Sequence, residues 1–203
     1  MDNVLFALSE NDTIYDEIIK TNINDRRLVL NKEISTDLIE EFTLWIIRWN
    51  QEDRDIPKDK RKNIYIYLNT DGGDIMFGLS MLDIIQTSET PIICVVLSAA
   101  NSMGSYIPMV CSESLAFPHS IICIHDGEVG IQQTTRKAND TYNFVTNCLD
   151  NLSKIALEHT NMDKEFLEEI ADREYYIFAD KAKELGIIDK IIGIDVPLSY
   201  IFQ

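Results

Sequence analysis

A chain of 203 residues, 45% hydrophobic and 26% charged, has material for one sizeable core, and no apolar window approaches membrane-spanning length. Its formal net charge of −16 excludes a general nucleic-acid or anionic-membrane surface, since both would repel it. Cys94, Cys111, Cys123 and Cys148 sit in apolar surroundings without CxxC spacing, which points to reduced core thiols rather than disulfides or zinc.

The N-terminal run MDNVLFALSEND carries an acid where a signal peptide needs a base, so the expected compartment is the cytoplasm. RRLVLNKEI (26–34) reads as a strand. Ser35 or Thr36 is then placed to cap DLIEEFTLWIIRWN, whose Leu38, Ile39, Phe42, Trp45, Ile46 and Trp49 share one broad helical face. The basic stretch RDIPKDKRK (54–62) is polar and holds a proline, and is expected to be a solvated loop.

NIYIYLNTDGG follows as a strand ending in paired glycines, then the helical run DIMFGLSMLDIIQTS. TPIICVVLSAA is a second buried strand, and a helix is expected from near Ser102. LAFPHS and IICIHDGEVG supply further strand material. Strands alternating with helices at this spacing imply an α/β fold, a parallel sheet with right-handed crossovers. A long helix is expected over Thr135–His159, with Ala138, Tyr142, Val145, Leu149, Leu152 and Ala156 on one stripe and Phe144, Cys148 and Ile155 on a second. So wide an apolar arc suits either a core helix or a subunit interface.

In such a sheet three strand ends converge: Gly72 and Gly73, then Ser102, then His125. Serine becomes a nucleophile when a base takes its proton, a carboxylate orients that base, and N–H donors receive the oxyanion. Ser102 at a helix start, with the N–H groups of Met103 and Gly73 nearby and His125 on a rigid strand, fits those needs. Asp172 and Glu174 in ADREYYIF are the available acids. Each residue also has a plainer use: a serine caps helices, glycine pairs make turns, and a lone histidine is often structural. Ser98 and Ser105 are competing hydroxyls, and no GxSxG elbow is present.

These segments resemble ClpP, the proteolytic subunit of the Clp serine proteases, from about residue 27 to 193. YIYLNTDGGD is similar to the family's glycine-pair segment, SAANSMGSYI to its nucleophile segment, LAFPHSIICIHDGEVG to its histidine segment, and AKELGIIDKII to its closing helix and strand. The resemblance implies a ClpP/crotonase-like fold over residues 1–203 as one domain, with residues 1–25 loosely matched and a protruding handle helix in about 128–159. It implies Ser102 as nucleophile, His125 as general base, and the N–H groups of Gly73 and Met103 as oxyanion hole. It also implies stacked rings, unfolded polypeptides as substrates, and an AAA+ unfoldase ring as partner, with ATP belonging to that partner and no metal or organic cofactor here.

This chain departs from the family pattern in three places. The proline expected two positions after the histidine is absent, since Asp126 and Gly127 follow His125. The handle strand EVGIQQTTRK is poor in glycine. Counting back twelve positions from Gly186, the family's aspartate falls on Glu174, which makes Glu174 the expected acid and Asp172 its rival. Two other functions stay open at this stage: a catalytically silent ring subunit, and a crotonase-fold acyl-CoA enzyme, for which Ser102 and His125 would be coincidental.

Overall fold

The computed structural model describes residues 9, 12–127 and 130–202. Its centre is a sheet made of β1 (Arg27–Leu30), β2 (Ile64–Thr70), β3 (Ile92–Asn101), β4 (Glu113–Ala116), β5 (Ile121–Ile124), β6 (Tyr175–Phe178) and β7 (Lys190–Ile191). The order β1-β2-β3-β4-β7 is parallel throughout. β3 is long enough to fork: Ile93 to Val96 pair with β4, while Ala99 to Asn101 pair with β5. β6 runs antiparallel to β5, so the sheet is mixed at that edge rather than wholly parallel.

The strands divide their side chains by alternation, because successive residues face opposite sides. In β1 and β2, Leu28, Leu30, Ile64, Ile66 and Leu68 enter the larger core, whereas Tyr65 enters a smaller one with Ile93, Val95 and Leu115. A C-terminal turn, Leu198–Phe202, covers that smaller core through Ile201. On the larger side lie α2 (Leu44–Glu52), α3 (Ile75–Thr87), the short α4 (Tyr106–Val110) and part of α5 (Thr135–His159). Phe42, Ile46 and Trp49 are fully buried there, as the periodicity requires. Truncating Trp49 to alanine would cost about 3–5 kcal/mol through the cavity it leaves.

Several elements differ from expectation. The first strand stops at Leu30, and Ile34 instead makes an isolated parallel bridge with Gly73. The next helix opens with a π-helical turn, Ile39–Thr43, without a side-chain cap; Ser35 and Thr36 contribute backbone carbonyls to the approach rather than hydroxyls. α1 (Ile14–Asn24) lies in the stretch that the family resemblance matched only loosely. A reciprocal capping box between Thr13 and Asp16 starts it. After Ser102 comes a 3₁₀ turn, Ser102–Ser105, before α4.

α5 runs over Thr135–His159 as expected, but its apolar residues divide by length rather than by face. Cys148, Leu152 and Ala156 are buried in the second half, whereas Tyr142 and Phe144 in the first half are 60% and 49% exposed. The expected handle strand would begin at Glu128 and Val129, which lie outside the described residues, and 130–134 form no strand. The last helices are α6 (Lys164–Ile170) and α7 (Ala179–Glu184), which flank β6 in sequence.

Candidate active site

β2 ends at a buried Thr70 whose hydroxyl donates to the Lys32 carbonyl and accepts from the Gly72 N–H. The chain then turns through Gly72 at φ +102°, where a Cβ would stand 2.6 Å from Ser102 Cβ. Only glycine permits that approach. The Ile34 N–H donates to the Gly72 carbonyl at 2.7 Å, and the Asp74 N–H donates to the Ile34 carbonyl at 2.9 Å. The bridge thus uses the neighbours of Gly73 and leaves its own N–H outside the pairing. Asp74 caps α3 by accepting the N–H groups of Met76 and Phe77.

β3 delivers Ser102 with φ +52°, a left-handed backbone that costs a non-glycine residue about 1–3 kcal/mol. Strain of this kind marks a sharp strand-to-helix turn that presents one side chain outward. The serine is not a cap: the cap position is Asn101, which makes no side-chain cap bond. Ser105, one of the competing hydroxyls, is buried and donates to the Ser102 carbonyl at 2.8 Å. Ser98, the other, is exposed on β3. Met103 is the second residue of the 3₁₀ turn, so its N–H is among those without an intrahelical acceptor.

β5 ends at Ile124 and hands over to His125, whose Nδ1 lies 3.1 Å from Glu174 Oε1. The β5–β6 register explains the meeting, since Ile124 pairs with Tyr175 and the next antiparallel step sets His125 beside Glu174. The other oxygen of Glu174 accepts from the Cys123 thiol at 3.3 Å. Glu174 is held below its ordinary pKa, first by the Cys123 hydrogen bond, against some desolvation, and then by the charge of His125 and the Tyr176 hydroxyl. Asp172 has another part: at φ +59° its N–H donates to the Asp126 carboxylate at 2.9 Å, fastening the turn that carries Glu174.

Ser102, His125, Gly73 and Met103 line one groove of about 310 Å³, with Tyr106, Gly127, Val145, Leu149 and Leu152 completing its wall. The sequence reading missed that wall. Val145, Leu149 and Leu152 fit a core or interface stripe equally well, and their 4-3 spacing carries no mark that distinguishes a groove lining from either. Burial pushes the Tyr106 hydroxyl up to about 12, with the charge of Asp126 adding to it. His125 Nε2 is buried and makes no hydrogen bond among the described residues. His125 and Glu174 are therefore in contact, while no hydrogen bond joins Ser102 to His125 in this conformation. Catalytic hydrogen bonds often tighten only once substrate is bound.

No three His, Cys, Asp or Glu side chains gather as a metal site among the described residues, and no described helix is long and apolar enough to cross a membrane. In comparison with known proteins, the profile of the Clp protease family matches residues 10–195. The chain is 29% identical over 173 residues to the ATP-dependent Clp protease proteolytic subunit 2 of Prochlorococcus marinus strain NATL2A, covering 83% of this chain and 82% of that one. It is 30% identical over 174 residues to the subunit of the same name from strain MIT 9313, covering 83% of each.

Proposed function

The chain belongs to the Clp protease family and is a serine-type endopeptidase; from that premise we propose that Ser102 is its nucleophile, His125 its general base, Glu174 the acid that orients the base, and the N–H groups of Gly73 and Met103 its oxyanion hole. The observation that carries this reading is the His125–Glu174 contact at 3.1 Å beside a groove that also holds the strained Ser102 turn.

The chemistry follows from these positions. A peptide enters the groove and Ser102 turns its hydroxyl toward His125 Nε2, the buried nitrogen that has no other partner among the described residues. Nε2 takes the proton as Oγ attacks the carbonyl carbon, and the oxygen, now negative, is received by the two N–H groups. The imidazolium is stabilised by the ionised Glu174 and gives its proton to the leaving amine, which departs and leaves an acyl-serine. Water repeats the sequence on the acyl-enzyme, releasing the carboxylic acid and restoring Ser102. No step calls for a metal or organic cofactor.

The substrates are unfolded polypeptides, and the chain works in the cytoplasm as a member of stacked rings fed by an AAA+ unfoldase. The exposed Tyr142 and Phe144 in the first half of α5 support self-association, with residues 1–203 read as one Clp-type unit and about 128–159 as its handle. A crotonase-type acyl-CoA reaction would leave Ser102 without a task. The test is fluorophosphonate labelling beside hydrolysis of short fluorogenic peptides, in the unmodified protein and in Ser102→Ala. Labelling and turnover are expected in the first and absent in the second. Undiminished turnover in Ser102→Ala would sink the assignment. An inert unmodified protein would favour the catalytically weak or silent ring subunit.

A further inference from the structure

Cys123 on β5 and His125 just past its end stand two residues apart, so in extended backbone their side chains leave the same face. Both meet a single carboxylate: Glu174 places Oε1 3.1 Å from His125 Nδ1 and Oε2 3.3 Å from Cys123 Sγ. We propose that Cys123 is a positioning residue for the catalytic reaction, its thiol holding the second oxygen of Glu174 so that the first stays on His125. The proposal rests on the reading of Glu174 as the triad acid.

Glu174 needs such a hold. Its side chain is 58% exposed and sits just before β6, so only its own contacts stop it from turning into water. A glutamate also has one more rotatable bond than an aspartate, and a carboxylate fixed through one oxygen alone retains that freedom. Cys123 can supply the fixed point, being 1% exposed and paired across the ladder with Tyr176. Burial first, then the neighbouring Glu174, push the thiol up to about 11, so it remains a protonated donor at neutral pH. The same features make it a poor nucleophile and a poor alkylation target, so a donor role suits it better than a redox one. The titratable groups around this carboxylate are Cys123, His125 and Tyr176.

The test compares kcat and KM for short fluorogenic peptides in the full chain and in Cys123→Ala, Cys123→Ser, Glu174→Ala and the Cys123→Ala/Glu174→Ala pair. Rates are compared at equal concentrations of protein shown by circular dichroism to be folded, which removes any loss through misfolding. Cys123→Ala is expected to lower kcat by about two- to tenfold, the worth of one hydrogen bond, with KM unchanged. Cys123→Ser, which keeps a donor, should recover most of that loss. In the Glu174→Ala background the cysteine change should have no further effect, because nothing is left to position. An equal loss in both backgrounds would show that Cys123 acts by packing alone and overturn the proposal. A silent Cys123→Ala beside a crippled Glu174→Ala overturns the thiol's role and leaves the triad standing. A silent Glu174→Ala overturns both.

Discussion

At Ser102 a hydroxyl is carried on a backbone that glycine would adopt more cheaply, and the space around it is made by a glycine at 72. The sequence pattern showed small residues running into Ser102, but not which of them face it. Gly72 came forward only as half of a turn-forming pair, and its contact with Ser102 is set by the tertiary approach of two strand exits. The proposed acid came forward for a different reason. Spacing could not separate Asp172 from Glu174, because a slip of two keeps the face of a strand; register against the closing motif did. In the folded chain it is Glu174 that reaches His125, while Asp172 sits at φ +59° with its N–H on Asp126. Glu174→Gln is therefore expected to lower kcat by about 10²- to 10⁴-fold, since an amide cannot stabilise the imidazolium. Asp172→Asn should leave kcat close to unchanged, because asparagine accepts the left-handed backbone as readily as aspartate. Steady-state peptide hydrolysis checks both. A crippled Asp172→Asn with a silent Glu174→Gln would move the acid to Asp172.

The elements with strong periodicity were readable because burial dictates them: β2, β3 and the Leu38-to-Trp49 face each present apolar residues at one period. What stayed hidden depends on partners distant in sequence. The antiparallel turn of β6 onto β5 is one such feature, and the fork of β3 is another. Asp53 is a third. It closes α2 and is 1% exposed, with both oxygens on the Arg26 guanidinium at 2.6 and 2.8 Å and the Thr90 hydroxyl donating at 2.8 Å. One carboxylate thus ties the residue before β1 to the approach of β3. Burial alone would raise its pKa, but the Arg26 and Thr90 hydrogen bonds and the Arg26 charge more than offset that and hold it below the usual range. Asp53→Asn leaves the largely buried Arg26 guanidinium with only the part-exposed Glu52 at 3.6 Å as a charge partner, and should lower unfolding stability in urea by about 3 kcal/mol near neutral pH. The pH sign follows from the depressed value. The stabilisation is complete above the unfolded carboxyl pKa of about 4 and is lost as pH falls through the lower folded value. The gap between wild type and variant should accordingly narrow on acidification below about pH 4. A gap that is constant with pH would show that the ion pair is not its source.

For the whole molecule the unresolved choice in the sequence was whether the broad apolar arc of α5 meets its own core or another chain. In the folded chain its second half meets the core, and its first half leaves Tyr142 and Phe144 exposed. From Cys148 onward the helix packs inward, and Val145 and Leu149 wall the groove, so charges placed there would injure the site along with any interface. The residues before Val145 are free of such duties, and Tyr142 and Phe144 stand about 200° apart around the axis, on nearly opposite faces. An element that offers aromatic surface on both sides is suited to two neighbours at once, which is what closely set helices of stacked rings would provide. Tyr142→Glu or Phe144→Glu should therefore release smaller species in native mass measurement or sedimentation, because burying an unpaired carboxylate costs several kcal/mol. Monomer stability and the fold itself should be untouched, since neither side chain belongs to the core. The net charge of −16 adds a second signature. Subunits carrying so much like charge repel, and at about 0.1 M salt that repulsion is screened beyond about 10 Å, so association should tighten as salt rises. If contacts between opposite charges dominated instead, association would loosen with salt, and the aromatic faces would not be the main attraction. A wild-type chain that remains monomeric at every salt concentration would remove the ring assembly altogether, leaving α5 as an exposed arm with no partner.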